Sequence, residues 1–177
     1  MHRLFVAIKP PEAIRDLLID AMDEGPGLSW VGEDNLHLTL RFIGEVEGRQ
    51  AEEIATALER IGGERFKLEI ASVGRFDRLS GGALWAGVRP RKPVADLALK
   101  VDRACVLAGL EPEHRAFHPH ITLARYRGAN APAARDFERR RSDLSSEPFE
   151  VSEFTLFESH LSRHGAHYEV VEVLPLR

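Results

Sequence analysis

The sequence predicts an α+β fold built from two similar halves, each with the order β-α-β-α-β. Three observations support this class. Alternating and helical hydrophobic patterns follow one another along the whole chain of 177 residues. The order of these patterns recurs in the second half at a constant offset, the one that carries His37 onto His120. The strands predicted at 66–76 and 83–88 are joined by so short a turn that they must be antiparallel. We therefore expect two lobes packed around one cleft.

The first half contains three predicted strands and two predicted helices. An apolar run predicts a strand at 3–8, period-two alternation predicts strands at 36–43 and 66–76, and helical stripes predict helices at 12–22 and 51–61. Glycine and proline at 25–27 and glycine at 62–63 should end the two helices. In the strand at 36–43, His37, Thr39 and Arg41 share one face. The leucines share the other face with Phe42, which we expect in the core.

The second half repeats this order. The patterns predict a strand at 83–88, a helix from Pro93 that ends before Gly109, a strand at 120–125, a short helix at 132–141, and strands at 149–158 and 167–174. The offset that places His37 on His120 also places Thr39 on Thr122. No linker rich in glycine, serine or proline separates the halves. We expect residues 1–177 to form a single bilobal domain, with lobes at approximately 1–82 and 83–177.

Composition and charge exclude several classes of protein. A net charge of −4 and a pI near 6.1 exclude a protein that coats nucleic acid by charge alone. The single cysteine excludes intramolecular disulfides and thiolate zinc clusters, which makes the reducing cytoplasm the expected compartment. The apolar run from Leu4 to Ile8 is too short for a signal peptide or a membrane span. We expect a monomer without a membrane partner.

Two short motifs carry the chemistry: His37-Leu38-Thr39-Leu40 and His120-Ile121-Thr122-Leu123. With only four threonines and eight histidines in the chain, chance predicts His-x-Thr about 0.2 times, so two copies at repeat-equivalent sites are much rarer. In a strand, residues i and i+2 share a face, which places each imidazole beside a threonine hydroxyl. Two such strands related by a two-fold axis would bring both pairs together across a cleft.

This constellation suits an anionic phosphorus centre. One imidazole can deprotonate an attacking water while the other protonates a leaving oxygen, since both titrate near neutral pH. Threonine hydroxyls and a nearby arginine would stabilise the non-bridging oxygens. The chemistry needs no metal ion, and we expect no cofactor.

At this level of detail the sequence resembles the RNA 2',3'-cyclic phosphodiesterase branch of the 2H phosphoesterases, historically called 2'-5' RNA ligases. Besides the two motifs, the resemblance rests on residues 4–8, Trp30, 35–44, 84–88, 118–125 and 158–161. It implies a mainly antiparallel sheet that forms a barrel-like central cleft. It further implies hydrolysis of a 2',3'-cyclic phosphate at an RNA or nucleoside end to the 2'-phosphate, with reversible 2'-5' ligation as a side activity.

The same resemblance implies a role for each site residue. His37 is the proton donor to the departing 3'-oxygen, and His120 is the proton acceptor that activates water. Thr39 and Thr122 match the phosphate-binding threonines of the family. Arg125 matches an arginine of the extended second motif and is assigned to phosphate binding, although the sequence leaves the direction of its side chain open. The symmetry of the motifs leaves the acid and base assignment to the resemblance alone.

Two other functions remain possible from the sequence. A histidine-ligated metal hydrolase could use His114, His118 and His120, or His160, His164 and His167, although Pro119 would break a helix that aligned the first set. We interpret His118 as a loop residue that supports His120, and residues 162–167 as a polar hairpin turn. Alternatively, the cleft could bind a nucleotide or an RNA end without turnover. Permanent charges would serve binding alone better than two titrating imidazoles.

The remaining candidates have structural interpretations. Trp30, Phe42 and Trp85 could stack on a nucleobase, but strand alternation favours a core position for Phe42. Cys105 falls in the apolar stripe of the third helix and should be a core residue. The basic stretch at 135–141 could guide an RNA tail, but its interleaved acids favour a solvated helix face.

Overall fold

The computed structural model describes residues 1–22 and 26–177, which contain nine strands and four α-helices. In chain order they are β1 (His2–Ile8), α1 (Glu12–Ala21), β2 (Ser29–Trp30), β3 (Leu38–Val46), α2 (Gly48–Glu59), β4 (Phe66–Arg78), β5 (Gly81–Arg89), α3 (Arg91–Leu107), β6 (His120–Arg127), α4 (Ala131–Arg140), β7 (Phe149–Val151), β8 (Glu153–Ser162) and β9 (Gly165–Pro175). None of the helices in these residues has the length and apolar character needed to cross a lipid bilayer.

The strands form one curled sheet in the order β7-β4-β5-β6-β3-β1-β8-β9, with β2 paired to β6. Every strand pairing in the described residues is antiparallel. The sheet forms a half-barrel, and β3 and β6, which carry the two histidine motifs, are neighbours at its centre. This architecture confirms the predicted α+β class and the antiparallel sheet.

The two halves are related by a two-fold axis that the strand register makes visible. Leu38 pairs with Ile121, and Lys67 pairs with Glu150. In both pairs the partners are repeat equivalents, because the offset between them is the one that carries His37 onto His120. A strand that pairs with its own repeat in the antiparallel direction must lie on the symmetry axis, as in a two-fold protein interface. The predicted duplication is therefore confirmed.

A β-bulge lies at the same place in each half. Between the pairs Val6–Arg41 and Ala7–Thr39, strand β3 contains one extra residue, Leu40. Between the pairs Leu84–Ala124 and Trp85–Thr122, strand β6 contains one extra residue, Leu123, which is the repeat equivalent of Leu40. An extra residue moves every later side chain of the strand to the opposite face.

The first bulge corrects the predicted faces of two residues. Phe42 was expected in the core, but it is 54% exposed and lies on the same face as His37. Arg41 was expected on the face of His37, but it is buried and forms an ion pair with Asp102 of α3. Strict alternation fails here because the bulge inserts one residue between Thr39 and Arg41.

The helices cover one face of the sheet and form the main core with it. From the sheet this core takes Leu4, Val6, Leu38, Leu84 and Ile121, and from the helices it takes Leu18, Ile54, Val101, Cys105 and Phe137. Phe5, Ala7 and Phe157 form a second, smaller cluster on the opposite face, with Tyr168 against it. We call this opposite face the cleft face, since it carries the histidine motifs.

The boundaries of several elements differ from the predicted ones. Strand β3 begins at Leu38 and not at 36, so His37 directly precedes it, and α3 begins two residues before Pro93, which the first turn of a helix tolerates. The predicted strand at 149–158 is divided into β7 and β8, because β7 pairs with β4 whereas β8 pairs with β1. Strand β2 was not predicted. Helix α1 ends at Ala21, and its expected stop at Gly25 lies outside the described residues.

Candidate active site

The two histidine motifs meet at the pair Leu38–Ile121 in the centre of the sheet. Both residues of this pair are buried on the helix-covered face. One residue to either side the side chains point to the cleft face, and the antiparallel direction places His37 beside Thr122 and Thr39 beside His120. All four side chains are half-buried. The structure therefore brings together the four residues that the sequence placed across a cleft.

Both imidazoles are oriented by the same backbone contact. Nδ1 of His37 lies 2.7 Å from the carbonyl oxygen of Asn35, and Nδ1 of His120 lies 2.5 Å from the carbonyl oxygen of His118. A carbonyl oxygen only accepts hydrogen bonds, so Nδ1 must carry the proton and donate it in each ring. The neutral form of each ring then has a free lone pair on Nε2, the nitrogen that can accept or deliver a proton in the cleft.

The site makes both imidazoles harder to protonate than a free histidine. Burial is the largest cause, and it lowers the pKa of His37 and of His120 because a buried ring is poorly solvated when charged. The positive charge of Arg125 lowers the pKa of both rings further, and a charge on His120 lowers the pKa of His37. The three groups are thus electrostatically coupled in one site.

Arg125 reaches the site because of the second bulge. By strict alternation it would lie on the face opposite His120 and Thr122, but the extra residue Leu123 returns it to the cleft face. Its backbone pairs with Ala83 of β5 and Ser29 of β2. Its side chain is exposed, so its charge is available to a ligand. The structure thereby supplies the direction that the sequence left open.

Aromatic rings surround the two histidines differently. The centroid of His37 lies 5.0 Å from that of Phe5 and 5.3 Å from that of Tyr168. The centroid of His120 lies 5.0 Å from that of Phe76 and 6.1 Å from that of Trp85. Sequence analysis missed Phe5, Phe76 and Tyr168. The sequence indicated only that each of these residues lies in a predicted strand. The pattern of an apolar strand does not reveal which of its faces the helices cover.

The three residues considered for nucleobase stacking have different positions. Phe42 and Trp85 lie on the cleft face, the first 6.0 Å from Phe5 between ring centroids and the second 5.3 Å from Phe76. A Cβ atom on Gly74 would collide with the Trp85 ring, so the indole packs directly over this glycine. Trp30 packs instead against Phe137 of α4, with a centroid distance of 5.0 Å, and belongs to the main core.

Unlike Phe42, the residues Cys105, His118 and Phe137 are found in settings that match their structural interpretations. Cys105 is fully buried, and burial raises the pKa of its thiol to about 11, which makes it a poor nucleophile. Helix α4 buries Phe137 and exposes its basic side, where Asp136 pairs with Arg139 at 2.7 Å. The loop residue His118 supports His120 through its carbonyl oxygen, as predicted.

The first histidine set proposed for metal binding is not assembled in the part of the chain that the structure describes. The group of histidine and acidic side chains found there with mutually close ligand atoms contains none of His114, His118 and His120. It contains one member of the second set, His160, together with Glu158 and Glu169 on the hairpin formed by β8 and β9.

Comparison with known proteins shows the family of the chain. The family model of the 2'-5' RNA ligase superfamily matches residues 10–163. The RNA 2',3'-cyclic phosphodiesterase of Aeropyrum pernix is 37% identical over 150 residues, which cover 83% of this chain and 85% of the relative. The crystal structure of Escherichia coli LigT in complex with 3'-AMP superposes with a TM-score of 0.77 at 29% identity, over 99% of this chain and 98% of LigT.

A second solved structure, that of TT0787 from Thermus thermophilus, superposes with a TM-score of 0.81 at 26% identity, over 99% of this chain and 98% of the other. The shared fold thus extends over both halves, including the strands that carry the paired histidine motifs. With the family model matched across most of its length, this chain belongs to the 2'-5' RNA ligase superfamily.

Proposed function

We propose that the protein hydrolyses 2',3'-cyclic phosphate ends of RNA or nucleosides to 2'-phosphomonoesters by two-histidine acid-base catalysis without a metal ion. The observation that carries this proposal is the pairing of Leu38 with Ile121, which presents His37 and His120 on one half-buried face with Nε2 free in each ring. Family membership and the name of the Aeropyrum pernix relative support the choice of a cyclic phosphodiesterase.

In the proposed reaction, a water molecule attacks phosphorus on the side opposite the 3'-oxygen. Nε2 of His120 takes the proton of this water as the new P–O bond forms. The bond between phosphorus and the 3'-oxygen breaks, and Nε2 of His37 gives its proton to the departing oxygen. The phosphate remains on the 2'-oxygen as a monoester. The histidine pair ends with the proton on His120, which must return to His37 through solvent before the next turnover.

Three side chains are assigned to the phosphate. The hydroxyl groups of Thr39 and Thr122 donate hydrogen bonds to the non-bridging oxygens, and the exposed guanidinium of Arg125 neutralises their charge. These oxygens gain charge as the five-coordinate transition state forms, so donors already fixed on two paired strands need little reorganisation. The complex of LigT with 3'-AMP supports a nucleotide as the ligand of this fold.

The lowered pKa of His37 sets a condition on its role as an acid. A proton donor must be charged before the reaction, and burial and Arg125 both oppose that charge in the free site. A bound phosphodiester anion acts in the opposite direction and raises the pKa of the ring. We therefore propose that substrate binding itself promotes the protonation of His37. His120, with its pKa lowered, is already neutral near pH 7 and ready to act as a base.

Reversible 2'-5' ligation follows from the same geometry. If the 5'-hydroxyl of a second RNA replaces water, His120 takes its proton, the same bond to the 3'-oxygen breaks, and a 2'-5' phosphodiester results. Each half of the chain supplies one histidine and one threonine of this site. We accordingly propose that residues 1–177 act as one catalytic unit.

The test is a phosphorus NMR assay of a dinucleotide that ends in a 2',3'-cyclic phosphate, with the protein in excess EDTA. We expect complete conversion to the 2'-phosphomonoester at the rate observed without EDTA. A 3'-phosphate as product would contradict the proposed reaction. Binding without turnover would indicate a nucleotide-binding module. Loss of activity in EDTA, with recovery on addition of zinc, would indicate a metal hydrolase.

A further inference from the structure

The hairpin formed by β8 and β9 carries a second cluster of ionisable side chains, on the face away from the catalytic histidines. We propose that Glu158, His160 and Glu169 form a binding site for a divalent first-row transition-metal ion such as Zn²⁺. One ligand atom from each residue can be chosen so that all three lie within 4.8 Å of one another. This site is separate from the proposed reaction and does not depend on it.

The strand register explains why these side chains converge. Glu158 pairs directly with Glu169, and the next residues on the same face, His160 and His167, also pair directly. Two carboxylates placed directly opposite each other in antiparallel strands repel, which weakens the pairing. A cation bound between them would remove this repulsion. The imidazole of His160 beside the carboxylates supplies a nitrogen ligand for such a cation.

The contacts of the cluster bring its ligand atoms together. Nε2 of His160 lies 3.0 Å from a carboxylate oxygen of Glu169. Nδ1 of His2 lies 2.8 Å from a carboxylate oxygen of Glu158, the kind of contact that orients a metal-ligating carboxylate. The ring of His167 stacks on that of His160, with 6.3 Å between their centroids.

The donor set selects the class of ion. Mixed imidazole and carboxylate ligands are typical of Zn²⁺ and its first-row neighbours, whereas Mg²⁺ and Ca²⁺ prefer oxygen ligands throughout. His160 and Glu169 are substantially exposed and Glu158 is partly buried, so an ion can enter from solvent. The site would hold the ion at the surface and not in a closed core.

A metal ion here would act on the structure of the hairpin and not on the reacting phosphate. Strand alternation places Tyr168, between His167 and Glu169, on the cleft face against His37. The catalytic and metal-binding faces of this hairpin are therefore opposite faces of the same two strands. The ion would link β8 to β9 and so hold the strand that carries Tyr168.

The experiment is calorimetric titration of the full-length protein with ZnCl₂. We expect one equivalent to bind, and we expect His160→Ala and Glu169→Gln each to weaken binding at least about 10-fold, since each removes one ligand. The matched control is His164→Ala, which removes an exposed histidine from the turn of the same hairpin. It should bind zinc as the unmodified protein does.

A second control separates this site from the cleft. The double variant His37→Ala/His120→Ala should retain the zinc equivalent, because both changes lie on the other face. Replacement of zinc by Co²⁺ should give visible absorption bands that the His160→Ala protein lacks, which reports on coordination independently of stability. The proposal is overturned if His160→Ala binds zinc normally, if His164→Ala loses as much affinity, or if only the double variant loses binding. None of these outcomes bears on whether the phosphodiesterase reaction occurs.

Discussion

The half of the site around His37 and the half around His120 share one backbone and differ in the side chains placed upon it. In each half, Nδ1 bonds the carbonyl oxygen two residues earlier, and a threonine follows two residues later. In each half a bulge also follows at the third residue, Leu40 or Leu123. Duplication of the backbone thus places two imidazoles in equivalent settings.

The symmetry ends immediately after the bulge. The first residue that the bulge returns to the cleft face is Phe42 in one half and Arg125 in the other, and these two positions are repeat equivalents. At this position an aromatic ring lies in one half and a cation in the other. A cyclic nucleotide end is itself asymmetric, with a base and a phosphate. The comparison suggests a division of roles for the proposed reaction, in which the motifs supply the proton transfers and the residues after the bulges orient the substrate.

The largest expected effect comes from removal of either proton carrier. His37→Ala and His120→Ala should each lower kcat by about 10²- to 10⁴-fold, the usual contribution of a general acid or base. The steady-state rate on a dinucleotide cyclic phosphate is the measurement. Circular dichroism should report an unchanged fold. Near-normal turnover by both variants would remove the proposed mechanism.

The pH profile separates the two halves further. Because the pKa of each imidazole is lowered, the bell-shaped profile of kcat/KM should have its maximum below the ordinary histidine pKa of about 6.5. Activity rises with pH as the base loses its proton and falls as the acid loses its own. His120→Ala should therefore lose the acidic limb, and His37→Ala the basic limb. A substrate with a leaving group that needs no proton should rescue only His37→Ala, and the reverse result would exchange the two roles.

The two halves also differ in a buried charge on the helix-covered face of the sheet. Arg41 points to the helices and is held by Asp102 and by the carbonyl oxygen of Glu111 at 2.7 Å, whereas its repeat equivalent, Ala124, carries no charge. Asp102→Ala should lower the free energy of unfolding by about 3 kcal/mol, because it leaves a buried guanidinium without its carboxylate. Urea unfolding measures this loss.

The double variant Arg41→Ala/Asp102→Ala tests the same difference between the halves, since it removes the buried charge that the second half lacks. Its loss of stability should be smaller than the sum of the two single losses, because the second change removes the charge that the first left unpaired. Glu53→Ala breaks an exposed helical pair with Arg49 and should change stability by less than about 0.5 kcal/mol. If the losses of the two buried variants were strictly additive, Arg41 and Asp102 would not be energetically coupled.

The third effect is expected from Arg125, the charged residue on the His120 side. Arg125→Gln should lower kcat/KM about 10- to 100-fold, since it removes a donor to the transition-state oxygens. It should also shift the pH optimum upward, because Arg125 lowers the pKa of both histidines. Arg103→Gln, an equal change of charge on the exposed surface of α3, is the control. If Arg103→Gln produced the same shift, the effect would be one of net charge and not of position.

The smallest effect on catalysis is expected from the ring on the His37 side. Phe42→Ala should raise KM about 10-fold for a dinucleotide cyclic phosphate, because stacking on a base contributes about 1–3 kcal/mol. It should have little effect on a small cyclic phosphate that lacks a base. Phe76→Ala, on the His120 side, tests whether the base lies in the other half. If only Phe76→Ala raised KM, the proposed orientation of the substrate would be reversed.

The sequence by itself determined the plan of the fold and the four residues that meet at the candidate site. The two His-x-Thr motifs, their repeat-equivalent positions and the order of strands and helices are local patterns, and local patterns predicted the α+β class and a duplication. The neighbouring positions of His37, Thr39, His120 and Thr122 followed from alternation over two residues, a distance too short for a bulge to intervene.

Only the tertiary structure decided which side chains complete the site. The faces of Phe42, Arg41 and Arg125 depend on whether an extra residue is accommodated between β3 and β1, or between β6 and β5. A bulge is a mismatch between two strands that are distant in sequence, so no spacing within one strand can reveal it. The division of 149–158 into β7 and β8 has the same origin, since the two parts pair with different strands. Pairing partners are set by the packing of the whole sheet, and for that reason the positions of these residues required the fold.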